Sequence, residues 1–114
     1  MTWSDTTTNV IAGEPENVPP KQFILEQNYP NPFNSATTIN YTLPDDDRIT
    51  ITIYNILGQP VRRLLNDEFI TAGTHSLIWN GRDVKGTPVP SGLYIYQVIT
   101  NKGYISSRRM VFVK

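Results

Sequence analysis

Two stretches of this sequence alternate apolar and polar residues along the chain. They read "TTINYTL" from Thr37 and "RITITIYN" from Arg48. Successive side chains of an extended strand point to opposite faces, so every second residue of each stretch shares a face. The two apolar faces consist of Ile39, Tyr41, Leu43, Ile49, Ile51 and Ile53. The pattern predicts half-buried antiparallel strands, and no part of the chain shows a convincing helical period.

Further strand-like segments follow, with turn signals at intervals of roughly 8 to 12 residues. "VRRLLN" (61–66) predicts a short strand, which two arginines mark as a possible sheet edge. "LYIYQVIT" (93–100) is apolar at odd and even positions, which favours a central strand, although its tyrosines could instead lie at a sheet surface. "THSLIWN" and "YISSRRMVFVK" complete the set. About seven short strands predict an all-β, immunoglobulin-like antiparallel β-sandwich.

Turn residues separate these strands. "PDDD" (44–47) predicts a tight, solvated, charged turn. Gly58 is expected to adopt a positive φ, and Pro60 fits a strand start or an edge. Asn101 to Gly103 predict a hairpin turn with glycine in a left-handed conformation.

The first of these strands is preceded by "QNYPNPFN" (27–34), which is rich in proline and asparagine. Pro30 and Pro32 lack backbone donors, so the segment cannot extend a ladder outward. Its asparagines, at positions 28, 31 and 34, are expected to bond their own backbone in turns. Tyr29 and Phe33 are expected to fold back as a plug on the open end of the core.

Residues 1–22 differ in composition from the remainder. Thr, Asn, Glu and Pro dominate there, and prolines at 15, 19 and 20 oppose both helix and sheet. The sequence therefore predicts a flexible, disordered linker over 1–22 and one domain over 23–114. Such a linker suggests a larger parent protein.

Composition excludes several classes of function. Ten basic and ten acidic residues give a formal net charge of zero, so no global field would attract nucleic acid or an anionic membrane. No run approaches the roughly 18 apolar residues of a membrane helix, and the N-terminus lacks the pattern of a secretory signal peptide. The chain contains no cysteine, which excludes disulfides, thiol nucleophiles and thiolate metal sites. We therefore predict that the domain neither binds nucleic acid nor inserts into a membrane. The chain is expected to be either a cytoplasmic protein or a piece of a longer one.

Candidate catalytic and ligand-binding sites are sparse. We predict that the domain is not an enzyme and that it has no metal site and no cofactor. His75 is the single histidine, and no nucleophile lies at a suggestive spacing from it. The acids at 45–47 and the "NGRD" at 80–83 offer oxygen ligands, but without the spacing of a calcium loop, so turns are the favoured interpretation. Surface tyrosines could stack on sugars; the candidates are Tyr54, Tyr94, Tyr96 and Tyr104.

The end of the sequence, "SSRRMVFVK", places two arginines before an apolar strand. The residues alone favour a strand that completes the sheet. A second interpretation is that this segment is recognised by a partner, because strand addition and terminal carboxylate capture are established recognition modes.

Five motifs appear in order: an Asn-Pro-x-Asn segment, a "YNILG" turn, a "WNGRDxxG" loop, an "SGxY" strand start and a basic-apolar terminus. Together they resemble the type A C-terminal sorting domain of the type IX secretion system, which is found on exported proteins of Bacteroidetes and related bacteria. They are also similar to the Ig-like domain of flagellar hook-capping proteins. The resemblance covers 23–114.

This resemblance implies a non-catalytic address label at the end of a secreted enzyme or adhesin. The parent would pass through the periplasm to the cell surface or the medium, and the implied partners are an outer-membrane translocon, a sortase-like peptidase and an upstream catalytic or adhesive domain. The implied recognition residues are Arg108, Arg109, Met110, Val111, Phe112, Val113 and Lys114. The implied structural residues are Asn31, Pro32, Gly58, Trp79, Gly81, Asp83, Gly86, Gly92 and Tyr94.

Two other functions remain open at this point. The domain could be an accessory module, either a carbohydrate binder or a passive spacer, on a multidomain secreted glycoside hydrolase. It could also be a scaffold of a flagellar hook cap, although that role would normally bring further assembly segments.

Overall fold

A computed structural model describes residues 22–114, and nearly all of the predicted linker (1–22) lies outside the described residues. The described chain forms seven strands and no helix. In chain order they are β1 (Ile24–Leu25), β2 (Thr37–Leu43), β3 (Asp47–Tyr54), β4 (Pro60–Ile70), β5 (Gly73–Trp79), β6 (Gly92–Thr100) and β7 (Ile105–Phe112).

The strands form two sheets whose paired strands are all antiparallel. One sheet has the order β1-β2-β5, and the other has the order β4-β3-β6-β7. The inner faces of both sheets contribute to one shared hydrophobic core. The prediction of an immunoglobulin-like antiparallel sandwich is therefore confirmed.

The alternating residues of β2 and β3 form the centre of this core. All six residues predicted for the two apolar faces are buried. β2 and β3 belong to different sheets, and the remaining strands of both sheets and the loops add further large side chains, because a sandwich core needs volume from both layers. The added buried residues are Leu25, Phe33, Leu65, Trp79, Val89, Tyr94, Tyr96, Val98, Met110 and Phe112.

The strand β6 lies between β3 and β7, as its two apolar faces predicted. Tyr94 and Tyr96 point into the core, whereas Leu93 and Ile99 lie on the outer face of the sheet and are partly exposed. Tyr94 and Tyr96 are therefore unavailable for stacking on sugars, and for these two residues the carbohydrate interpretation is wrong.

The edge strand β4 is longer than the sequence predicted. It continues through 67–70, where we expected a connection, because the pairing with β3 shifts register between Ile49↔Glu68 and Ile51↔Leu65. Asp67 has a φ of 51°, and its amide donates to Thr50 Oγ1 at 3.0 Å. This irregularity absorbs the polar residues without ending the strand, which is the usual effect of a bulge.

The charged turn at 44–47 also differs from expectation. Asp47 is buried rather than solvated, and it begins β3 with its Oδ1 accepting the amide of Arg48 at 2.7 Å. The neighbouring Asp46 Oδ1 accepts the amide of Ala72 at 2.8 Å. These carboxylates order the turn through backbone donors.

The chain enters the sandwich at the end where the β6–β7 hairpin turns. Ile24 of β1 pairs with Thr42 near the end of β2, and Phe23 stacks on Tyr104 with ring centroids 5.6 Å apart. We call this end the entry pole. The end of β7 lies at the opposite end of the molecule, since β7 runs back along β6 to pair with Gly92.

The buried Tyr41 should make folding stability fall at high pH. Burial raises the pKa of the Tyr41 phenol to about 12, with the negative charge of Glu68 as a smaller cause. As the pH rises above about 10, the phenol ionises first in the unfolded chain, so stability is lost between about pH 10 and about pH 12. In denaturant unfolding, Tyr41→Phe should lose less stability than the wild type over this interval. Tyr29→Phe, which changes an exposed ring, should follow the wild-type curve.

Candidate functional site

The motifs singled out in the sequence converge at the end of the sandwich opposite the entry pole. We call this end the terminal pole; it comprises residues 28–36, 55–59, 80–91 and 110–114. The ends of β3, β5 and β7 and the starts of β2, β4 and β6 meet there. Segments that are distant in the sequence therefore form one surface.

The predicted recognition residues, 108–114, divide between the core and the surface. Met110 and Phe112 are buried on the inner face of β7 and Arg109 is exposed on its outer face, whereas Arg108, although on the inner face, is also exposed. Val113 and Lys114 follow the strand and are exposed, and Val111 is half-buried. A partner that binds the folded domain can reach the arginines, Val113 and Lys114, while Met110 and Phe112 hold the strand in place.

The Asn-Pro segment, residues 28–36, holds the end of β7. The Phe33 amide donates to Val111 O at 3.0 Å, and the Val113 amide donates to Phe33 O at 2.9 Å. The Val111 amide donates to Asn31 Oδ1 at 2.9 Å. The Asn-Pro segment thus covers the outer edge of the last strand at its end.

This segment behaves partly as predicted. Phe33 is buried and its ring centroid lies 4.8 Å from that of Phe112, so the expected plug forms. Tyr29 does not take part: its backbone pairs with Thr38, and its side chain is 78% exposed. Asn28 bonds Pro30 O within the segment as expected, whereas Asn31 reaches across to β7 instead.

The loop at 80–91 packs its backbone against the same strand end. Trp79 Nε1 donates to Arg82 O at 2.9 Å, which fixes the start of the loop over the buried indole. Gly81 has a φ of 72°, and a Cβ there would lie 2.9 Å from the Phe112 ring. Asp83 Oδ1 accepts the amides of Lys85 and Thr87 at 3.0 and 2.9 Å.

Other predicted structural residues also lie in turns at this pole. Gly86 has a φ of 82° within the Asp83 turn. Tyr94 OH donates to Pro90 O at 2.6 Å, just before β6 begins at Gly92. The Lys114 amide donates to Ser91 Oγ at 2.9 Å, so the loop also contacts the chain beyond β7.

The turn at 55–59 exposes two aliphatic side chains that the sequence reasoning did not select. Asn55 Oδ1 accepts the amides of Leu57 and Gln59, both at 3.0 Å, and Gly58 has a φ of 79°. This leaves Ile56 68% and Leu57 77% exposed. Two large apolar residues directly before a turn glycine were the available signal.

A cleft of about 460 Å³ separates this turn from the loop at 80–91. Its walls are mainly apolar and include the exposed Val84. The lining residues are Asn55, Pro60, Val61, Asp83, Val84, Lys85, Val89, Pro90 and Tyr94. The terminal pole therefore offers a contact surface of aliphatic groups with few charges.

The two arginines of β7 are held differently. Arg108 Nε donates to Leu25 O at 2.6 Å, which places its guanidinium at the rim between the sheets. Arg109 pairs with Ile95 on the outer face, and its carbonyl accepts Gln27 Nε2 at 2.7 Å. Within residues 22–114 neither arginine forms an ion pair; the ion pair found there joins Arg48 and Asp67 at 3.1 Å.

Potential catalytic and metal-binding groups do not converge in the described part of the chain. His75 is half-buried, its Nε2 lies 2.7 Å from Thr71 O, and its ring stacks on Tyr41. No group of three or more His, Cys, Asp or Glu residues suited to a metal ion occurs among residues 22–114. The same residues include no helix of the length and apolarity needed to cross a membrane.

The similarity of this chain to known proteins agrees with its motifs. The family model described as "Secretion system C-terminal sorting domain" matches residues 27–113. The basal-body rod modification proteins FlgD of Salmonella typhimurium and Salmonella typhi are each 37% identical over 57 residues. That match covers 50% of this chain but 24% of each relative, so the chain spans about a quarter of the length of these curated relatives.

Solved structures show the same fold at low sequence identity. Dimeric latent PorU from Porphyromonas gingivalis superposes with a TM-score of 0.63 at 19% identity, over 85% of this chain and 10% of that one. PorZ is described as an essential surface component of the type IX secretion system of the same species. It superposes with a TM-score of 0.55 at 20% identity, over 77% of this chain and 11% of that one. FlgD from P. aeruginosa superposes with a TM-score of 0.53 at 19% identity, over 80% of this chain and 72% of that one.

The family match extends from the Asn-Pro segment to Val113 and so includes the motifs of the terminal pole except for Lys114. The resemblance drawn from the sequence is thereby confirmed. The chain belongs to the secretion-system C-terminal sorting domain family.

Proposed function

We propose that this domain is a non-catalytic sorting signal of a larger exported protein and that outer-membrane export machinery recognises it through the end of β7. One observation carries the proposal: the terminal motif forms an edge strand that exposes Arg108 and Arg109 and runs into the pole where the other motifs meet. The buried Met110 and Phe112 pack into the core and anchor this strand, so the signal is presented in a fixed conformation.

In this proposal the parent protein passes through the periplasm before the translocon engages the domain. A sortase-like peptidase would then act on the exported chain, and an upstream enzyme or adhesin would supply the activity. The similarity to PorZ supports the assignment to type IX secretion, since that protein is described as a component of this system.

The test is a fusion of the 114-residue chain to a periplasmic reporter in a host with type IX secretion. The variant Arg109→Ser/Val113→Ser/Lys114→Ser changes exposed side chains and retains the buried Met110 and Phe112. We expect it to lower the amount of reporter at the cell surface at least about tenfold, because a few exposed residues commonly supply most of a recognition energy.

The matched control is Lys102→Ser/Tyr104→Ser, which changes exposed residues of the entry pole. It should be exported like the wild type, and thermal melts should show both variants folded. Equal export of the two variants and the wild type would contradict recognition through the strand end and would favour a passive spacer.

A further inference from the structure

The outer edge of β7 is covered along half of its length. The amide and carbonyl of Val111 face away from β6, as their hydrogen bonds to Asn31 and Phe33 show. Since these directions alternate along an antiparallel strand, the amides and carbonyls of Ser107 and Arg109 also face outward. The Arg109 carbonyl accepts a hydrogen bond from Gln27 Nε2. The other three groups have no hydrogen-bond partner among residues 22–114.

This uncovered half is regular, unlike the other edge of its sheet. The β6–β7 pairing runs without a shift from Gly92↔Phe112 to Ile99↔Ile105. The β4 edge, in contrast, carries register shifts and the positive φ of Asp67. Natural sheets commonly block an edge with bulges, prolines or charges, and a straight edge with outward donors is a template for another strand.

The two arginines select among strands that fit this template. Arg108 lies on the inner side of β7 and Arg109 on its outer side, so an added strand would bring adjacent residues next to both. Acidic residues at these positions would form charge-assisted hydrogen bonds with the guanidinium groups. A second copy of β7 paired about Ser107 would instead place Ser106 opposite Arg108 and Ile105 opposite Arg109, which would leave both guanidinium groups without a counter-charge.

An apolar contact lies at the other end of the same edge. Ile105 is 66% exposed and pairs with Ile99, itself 42% exposed, on the outer face that also carries Arg109. Side chains four residues apart on a strand share a face. An antiparallel partner would therefore carry two adjacent acids followed, three residues after the second, by an aliphatic residue.

We infer that the edge of β7 over 105–109 accepts an extended acidic segment of a partner protein as an added strand. This inference rests on the proposed function, for which it names the chemistry of the partner. The backbone of Ser107 supplies the central hydrogen bonds, Arg108 and Arg109 bind the acids, and Ile99 and Ile105 contact the aliphatic residue.

The test uses the full chain and a fluorescent peptide, Thr-Val-Thr-Glu-Glu-Thr-Thr-Val-Thr, with binding followed by anisotropy. The key variant is Ser107→Pro, which removes an outward donor and is compatible with an edge strand. Its matched control, Ser107→Ala, keeps the backbone amide. We expect Ser107→Pro to weaken binding at least about tenfold and Ser107→Ala to leave it within about twofold.

Two further measurements separate the possible outcomes. A peptide with lysines in place of the glutamates should not bind, and a peptide N-methylated at alternate amides should lose binding even if Ser107→Pro fails to fold. Equal binding to Ser107→Pro and Ser107→Ala, equal binding of the lysine peptide, or self-association of the chain at this edge would each overturn the inference. If export depends on residues 109–114 but the peptide does not bind, the sorting proposal stands and the inference about the edge of β7 fails. If the peptide binds but the strand-end variant is exported like the wild type, the inference stands and the sorting proposal fails.

Discussion

Phe112→Ala is expected to lower the free energy of unfolding by about 3 to 5 kcal/mol, the usual cost of removing a buried aromatic ring. The Phe112 ring is 4% exposed and stacks on Phe33, and its centroid lies 6.3 Å from that of Trp79. Its removal would leave a cavity between the Asn-Pro segment and the loop at 80–91. Chemical denaturation followed by tryptophan fluorescence measures the loss.

The neighbouring Val113→Ala is the control for this prediction. Val113 is 49% exposed, so its truncation should change stability by about 0.5 kcal/mol or less. A loss below about 1.5 kcal/mol for Phe112→Ala would show that the pole relaxes around the missing ring.

A double-mutant cycle identifies the partner of Phe112. Phe33→Ala and Phe112→Ala remove two rings that touch each other, so their effects should not add, and the coupling should be about 0.5 to 1.5 kcal/mol. Additive effects would mean that the segment and the strand contribute to stability independently.

The second large effect is expected for Gly81→Ala. Alanine at a φ of 72° is strained by about 1 to 2 kcal/mol, and its Cβ would lie 2.9 Å from the buried Phe112 ring. Overpacking of this kind costs about 1 to 3 kcal/mol more. The total loss should therefore be roughly 2 to 5 kcal/mol in denaturant unfolding.

Gly86→Ala separates the two causes of that loss. Gly86 has a φ of 82°, but a Cβ there would meet nothing within 4 Å. It should show the backbone strain without the overpacking, so the difference between the two variants measures the contact with Phe112. Equal losses would indicate that this ring moves aside freely.

Much of the sheet structure could be predicted from the sequence because the pattern is local. The period of two in β2 and β3 assigned their buried faces correctly, and the two apolar faces of β6 indicated an interior strand. The length of β4 could not be predicted in this way. The polar residues at 66–68 suggest a loop when the sequence is taken alone. They remain in the strand because the β3–β4 pairing shifts register beside them.

The terminal pole was less predictable, because its contacts join the two ends of the domain. Phe33 and Tyr29 were equivalent as aromatic plugs in the sequence, and pairing of Tyr29 with Thr38 determines that Tyr29 faces outward. Asn31 was expected to bond locally, and only the position of β7 brings Val111 within reach. The role of 108–114 in recognition stays a prediction, and the sequence alone did not separate the buried Met110 and Phe112 from the exposed residues of this segment.

The placement of the two chain ends has a mechanical consequence. The chain enters at one pole, beside Tyr104, and leaves β7 at the other, beside Ser91. Tension between these ends would act along the strands, so the hydrogen bonds of β7 to β6 would be loaded together in shear instead of opening one at a time. The Asn-Pro segment adds two backbone bonds to the same strand. A machine that pulled on the end of this domain would therefore meet high resistance, and the rate of forced unfolding would set how long the folded domain survives.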